Sequence, residues 1–128
     1  MAIQFRDGPY RLDISENNNG DICVIDSNAK IVMGINLKGC VRFRYDGVDA
    51  ERIKTFEPRF ILTDKMNQII VTDSNNDCLH ILDQNGSFFK CVDHCELEKP
   101  GGLSMDSQGR LWVAQFFSRK IKVIPYRQ

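Results

Sequence analysis

Short apolar runs alternate with polar turns along almost the whole chain. "LDISENNNGDICVID" holds two such runs, around Leu12 to Ile14 and Ile22 to Ile25, split by Asn17-Asn18-Asn19-Gly20. "FILTDKMNQIIVTD" repeats the arrangement around Asp64-Lys65-Met66-Asn67, and "LSMDSQGRLWVAQ" does so around Asp106-Ser107-Gln108-Gly109. Each turn ends in Gly or Asn, residues that accept the left-handed backbone of a tight hairpin. The runs are rich in β-branched residues, as in Ile69-Ile70-Val71 and Ile121-Lys122-Val123-Ile124, which suit a pleated, half-buried surface. No stretch sustains the i, i+3, i+4, i+7 apolar spacing of a helix beyond two turns. The pattern predicts strands throughout.

The strands recur with a period. "IDSNAKIVMGINLKG" (Ile25 to Gly39) and "TDSNNDCLHILDQNG" (Thr72 to Gly86) align without a gap, 47 residues apart. Ile14, Ile22, Val24, Asp26, Ser27, Asn28 and Gly39 face Ile61, Ile69, Val71, Asp73, Ser74, Asn75 and Gly86. A third copy lies 42 residues further on, where Leu103, Asp106, Gly109, Leu111 and Val113 meet Ile61, Asp64, Asn67, Ile69 and Val71. Such a spacing is that of propeller blades, about 40–50 residues each. A third strand is predicted over Ile31 to Ile35, Leu79 to Leu82 and Lys120 to Ile124, and a fourth in "VRFRYDG" and "SFFKCVD". The third copy stops before its fourth strand. The predicted fold is all-β, a partial β-propeller of four-stranded antiparallel blades. Residues 1–10 form an extension, 11–57 the first blade, 58–99 the second, and 100–128 a third that lacks its outer strand.

The phrase V-x-D-x-x-N-x-x-[IL]-x-[VI] carries a family likeness. "VTDSNNDCLHILDQNGSF" presents it at Val71, Asp73, Asn76, Leu79 and Ile81, and Pro58 and Pro100-Gly101-Gly102-Leu103 resemble blade starts of the same type. The chain resembles the NHL repeat, most closely the NHL propellers of the tripartite-motif family, over roughly residues 9 to 126. The copies depart from the pattern: Ala29 and Ser118 replace the usual Asn, Gln115 replaces the Asp, and Cys78 and Ile31 stand where many repeats have Arg. Complete proteins of that family carry a RING, B-boxes and a coiled coil before a six-bladed propeller. The RING makes them ubiquitin ligases, and the propeller selects protein substrates or, in some members, RNA stem-loops. No C-x-x-C pair occurs here, so a RING zinc site is not expected. The resemblance implies a non-catalytic recognition module for a protein substrate or adaptor, with stem-loop RNA and repression of messenger RNA as the alternative. Three blades do not close a six-bladed ring. The chain is then part of a longer one, or two copies pair, with Ala2 to Phe5 supplying a missing outer strand.

Composition adjusts this picture only slightly. Lys plus Arg and Asp plus Glu each number 17 in 128 residues, for a net charge of zero, which gives no global attraction to nucleic acid or anionic membrane. No apolar run reaches the roughly 18 residues that span a bilayer. Five cysteines, an odd number without a secreted-type framework, favour reduced thiols and a cytoplasmic setting. No cofactor is expected.

Candidate partner-binding residues fall in two groups. Phe116, Phe117, Arg119 and Lys120 sit between the second and third strands of the third blade. Two aromatics beside two cations can stack on a base or anchor a peptide, or one Phe can fill the inter-blade core. Arg42, Arg44, Arg52, Lys54 and Arg59 form a basic cluster that can hold phosphates or protect a rim edge. Asp26, Asn28, Asp73, Asn76, Asp106 and Gly109 recur at the blade period and are expected to cap turns. Cys91, His94 and Cys95 lie within five residues, too close in sequence for a good tetrahedral metal site without a fourth ligand; a blade-linking turn is expected and no metal. His80 is expected to be a surface imidazole. The first-strand positions Ile14, Ile61 and Leu103 are apolar, so no convergent ligand set for catalysis is expected.

Overall fold

A computed structural model of the protein describes residues 2–5, 8, 12–93 and 96–126. Eleven strands form among the described residues. The first sheet comprises β1 (Leu12–Glu16), β2 (Ile22–Asp26), β3 (Ile31–Ile35) and β4 (Val41–Tyr45), in that order. The second comprises β5 (Pro58–Thr63), β6 (Ile69–Asp73), β7 (Cys78–Leu82) and β8 (Phe88–Val92). The third holds β9 (Pro100–Met105), β10 (Arg110–Gln115) and β11 (Ile121–Pro125). All pairings are antiparallel between neighbours. This is a partial propeller: two four-stranded blades and one three-stranded blade.

The hairpin turns follow the residues predicted for them. Gly20, Asn67 and Gly109 adopt φ of 89°, 64° and 76°, so Asn67 serves where its two counterparts are glycine. The inner strands β1, β5 and β9 lie side by side, and polar bonds lace β1 to β5. Asp13 Oδ2 accepts from the Ile61 amide at 3.0 Å, and the Thr63 hydroxyl donates to the Glu16 carbonyl at 2.8 Å.

Blades stack through two apolar layers. Cys23, Ile25, Val32 and Tyr45 of the first blade pack on Ile61, Ile69, Val71 and Leu82 of the second. On the other side of the second blade, Ile70, Leu79, Ile81 and Val92 pack on Leu111, Val113 and Ile124 of the third. Because successive strand side chains point to opposite faces, a blade covered on both sides reads as uniformly apolar. Every residue of β6 and β7 is buried. The strand β10 alternates exposed and buried instead, because one face of the third blade is uncovered. Trp112, Ile121 and Val123 stand exposed there.

The outward face of the first blade is covered differently. Phe5 packs on Val24, Met33 and Ile35. Residues 2–5 form no strand. In the single chain, then, Phe5 buries its ring on its own blade. No helix of the described residues is long and apolar enough to cross a membrane.

Candidate functional site

One end of the blades is formed by the turns between second and third strands and by the segments joining blades. Residues 46–57, 74–77, 93, 96–99 and 116–120 build it. The 46–57 segment enters through Gly47, at φ 84°, and makes one 3-10 turn over Val48–Ala50. A Cβ on Gly47 would lie 2.5 Å from the Phe56 ring, so the close approach needs glycine. Phe56 is buried beneath the segment.

The neighbouring 74–77 turn holds that segment in place. Asn76 Oδ1 accepts from the Lys54 amide and Asn76 Nδ2 donates to the Lys54 carbonyl, each at 3.0 Å. Asn75 Nδ2 donates to the Thr55 carbonyl at 2.8 Å. Asp73 Oδ1 accepts from the amides of Glu57, Asn75 and Asn76. The strip continues into the third blade, where Asp77 Oδ1 accepts from the Lys99 amide and the Lys99 carbonyl from the Phe116 amide. Gln115 takes the role of the Asp found in the other copies. Its Oε1 accepts from the Glu98 amide, and its Nε2 donates to the Ser118 hydroxyl.

On this end the apolar residues Val48, Ile53 and Phe117 are exposed, Ile53 fully and Phe117 to 82%. Arg52, Ile53, Lys54, Asn75, Asn76 and Asp77 line a cleft of about 390 Å³. A second cleft of about 340 Å³ leads from Gly47, Arg52 and Phe56 to Asp73, Asn76 and His80.

His80 was expected at the surface and is fully buried. Its strand is covered on both faces, so no position in β7 reaches solvent. The ring is satisfied at both ends: Nε2 is 2.8 Å from Asp73 Oδ2 and Nδ1 is 2.6 Å from the Tyr45 hydroxyl. Burial alone would raise the Asp73 carboxyl, but bonds from His80 and Asn76 outweigh it and hold it below its ordinary value. Burial pushes the Tyr45 hydroxyl well up. An ionised carboxylate only accepts, so Nε2 carries a hydrogen. In the neutral ring, Nδ1 is then the acceptor.

Two thiols complete the cluster. Cys78 lies two residues before His80 in β7 and Cys91 is directly across from His80 in β8. The sulfurs are 4.0 Å apart. The Cys78 S–H holds the Cys91 thiol below its ordinary value, helped by the Arg52 guanidinium, while the Cys78 thiol is pushed up. Arg52 also binds Asp93 at 2.7 Å. Of the sequence group Cys91, His94 and Cys95, the last two lie outside the described residues. The proximity of Cys78, His80 and Cys91 needs the pairing of β7 with β8; the i, i+2 spacing of Cys78 and His80 was its only trace in the sequence.

The other predicted residues divide between the two ends. Arg42 is not with Arg52 and Lys54. It reaches the turns of the opposite end, pairing with Asp21 at 2.7 Å and donating to the Gln84 carbonyl and Asn85. Arg44 is exposed on the rim strand. Arg59 pairs with Glu57 and contacts the Ser74 hydroxyl. The basic residues therefore do not form one cluster, because successive positions along a rim strand run from one end of a blade to the other. Phe116 is half-exposed, its ring 6.4 Å from that of Phe60 and against Gly101. Arg119 has φ 57°, and Arg119 and Lys120 are exposed. Asp26 Oδ1 accepts from the Asn28 and Ala29 amides. Asp106 accepts from the Gln108 and Arg110 amides and from Trp112 Nε1, and Gly109 closes its turn.

No protein-family model matches the sequence and no curated protein sequence matches it. Solved structures match by fold. A catalytically inactive virginiamycin B lyase from Staphylococcus aureus, with quinupristin, superposes with a TM-score of 0.68 at 21% identity, over 94% of this chain and 42% of its own. A streptogramin B lyase gives 0.68 at 20% identity, over 94% and 41%. A protein of unknown function from Bacteroides caccae gives 0.64 at 13%, over 91% and 42%. The chain thus spans about two fifths of the structures it resembles. The likeness is to a propeller framework; it does not reach the NHL or tripartite-motif family. It also overturns the expectation that this chain is not an enzyme. That expectation came from the missing RING and the apolar first strands, yet solved structures of this fold include lyases; at 20–21% identity the likeness extends to the fold alone.

Proposed function

We propose that this chain is part of a propeller that recognises a protein partner through the end built by residues 46–57, 74–77, 96–99 and 116–120. The observation that carries this reading is the set of exposed apolar side chains on that end, Val48, Ile53 and Phe117. They stand on loops held by hydrogen bonds to neighbouring blades. Exposed apolar groups on a rigid scaffold, ringed by charge, suit a protein interface. Lys54, Arg119 and Lys120 supply positive charge there, and Asp49, Glu51, Asp77, Glu96 and Glu98 supply negative charge. Nucleic acid would be held by a surface of one sign, so the mixture favours protein. The finer reading, substrate selection for a RING-type ubiquitin ligase on a longer polypeptide, is supported by the NHL-like motifs alone.

Photo-crosslinkers placed at Ile53 and Phe117, and at Leu37 and Met66 on the opposite end, test the assignment in extract of the source cells. Protein adducts should form from the first pair and be lost when Ile53→Ser or Phe117→Ala is introduced beside the probe. Equal yields from both ends, or adducts that ribonuclease removes, would refute it.

A further inference from the structure

We propose that Cys78, His80 and Cys91 form a binding site for a thiolate-seeking divalent metal ion of the zinc class. The ligand atoms of these three residues all lie within 4.8 Å of one another. They come from two adjacent strands whose backbones are fixed by the sheet, so the site is held before any ion arrives. With metal–sulfur bonds of about 2.3 Å, two sulfurs on a tetrahedral ion stand about 3.8 Å apart. The observed 4.0 Å needs only a few tenths of an ångström of closure.

The surroundings have the order of a metal–histidine–carboxylate relay. Nε2 of His80 is committed to Asp73, and Asp73 is itself held by Asn76 and by the Glu57, Asn75 and Asn76 amides. A ligating histidine characteristically donates its second ring N–H to a carboxylate in this way. Nδ1 keeps its lone pair, which faces the Tyr45 hydroxyl at 2.6 Å. On binding, that lone pair passes from the phenol hydrogen to the metal, and each thiol that coordinates releases its proton to solvent. A set of two sulfurs and one imidazole selects zinc-class ions over magnesium or calcium, which require oxygen. The cleft that reaches His80 beside Arg52 offers an entry path and room for water or the Tyr45 oxygen as fourth ligand. The cleft opens on the partner-binding end, but the metal titration reads ligation by these three side chains and does not depend on partner capture.

The experiment titrates the reduced, chelator-stripped chain with cobalt(II) and then zinc(II). One cobalt per chain should bind, with a thiolate-to-cobalt charge-transfer band and the intense visible bands of a tetrahedral ion, and zinc should displace it. Cys78→Ser, Cys91→Ser and His80→Gln should each weaken binding at least 100-fold or abolish the spectrum, whereas Cys40→Ser, at an exposed cysteine, should leave it intact. Far-ultraviolet circular dichroism checks that each variant is folded. Should His80→Gln unfold the chain, Cys78→Ser and Cys91→Ser suffice. No spectrum in the wild type, or one that survives both serine variants, overturns the proposal. So does a spectrum that depends on Cys95 rather than Cys78.

Discussion

Replacing Asp73 by alanine should be among the most costly single substitutions in the chain. Asp73 is fully buried. Its Oδ1 accepts from the amides of Glu57, Asn75 and Asn76, and its Oδ2 from Asn76 Nδ2 and His80 Nε2. Its counterpart Asp26 is nearly as buried but accepts from the Asn28 and Ala29 amides. A buried donor left without its partner costs about 1–3 kcal/mol. Some stranded amides near the turn recover water, so the sum is smaller than five full penalties. We expect about 4–5 kcal/mol for Asp73→Ala and about 2 kcal/mol for Asp26→Ala. Asp73→Asn keeps Oδ1, and its amide can face His80 if the ring changes tautomer, so about 1–2 kcal/mol is expected. Urea unfolding followed by far-ultraviolet circular dichroism measures all three. With slopes of about 1–3 kcal/mol per molar urea, the alanine change should lower the midpoint by roughly 2 M. If Asp73→Ala costs no more than Asp26→Ala, the accounting of its partners is wrong. If Asp73→Asn costs as much as Asp73→Ala, the carboxylate charge outweighs the geometry of acceptance.

Three further outcomes follow from the same structure. The folded-state pKa of Asp73 is lowered from 3.8, so its contribution is complete above that value and is lost as pH falls through the folded pKa; below pH ~4, wild-type stability in urea should fall more steeply than that of Asp73→Asn, and parallel curves would contradict this. A Cβ on Gly34 would lie 2.1 Å from the Phe43 ring, so Gly34→Ala should cost about 1–3 kcal/mol, part of which Phe43→Leu restores; a neutral Gly34→Ala in thermal melts would show that the ring does not pack there. Leu79, fully buried between the second and third blades, should cost about 2–5 kcal/mol on change to alanine, whereas exposed Phe117→Ala should stay within about 0.5 kcal/mol; a large loss at Phe117 would mean that its ring belongs to the core.

The strands, their order within each sheet and the radial repetition are legible in the pattern of residues along the chain. Those depend on neighbours along the chain: a turn that needs Gly or Asn, an apolar run of strand length, and the Asp that caps the next turn. Gln115 shows the same local logic surviving a substitution, since its longer amide still reaches the Glu98 backbone. Contacts between sheets emerge only when the blades pack. His80 looked like a surface residue because strand alternation says which side a residue takes, not whether another blade covers that side. Arg42 and Arg52 are close in sequence, but Arg42 binds the turns at one end of the blades and Arg52 binds Asp93 at the other. The juxtaposition of Cys78 with Cys91, and of both with His80, arises from antiparallel pairing of β7 with β8, and the placement of Tyr45 from the packing of one sheet on the next. Local periodicity encodes a strand; which side chains meet is settled by how the sheets stack, because burial depends on what lies across the interface.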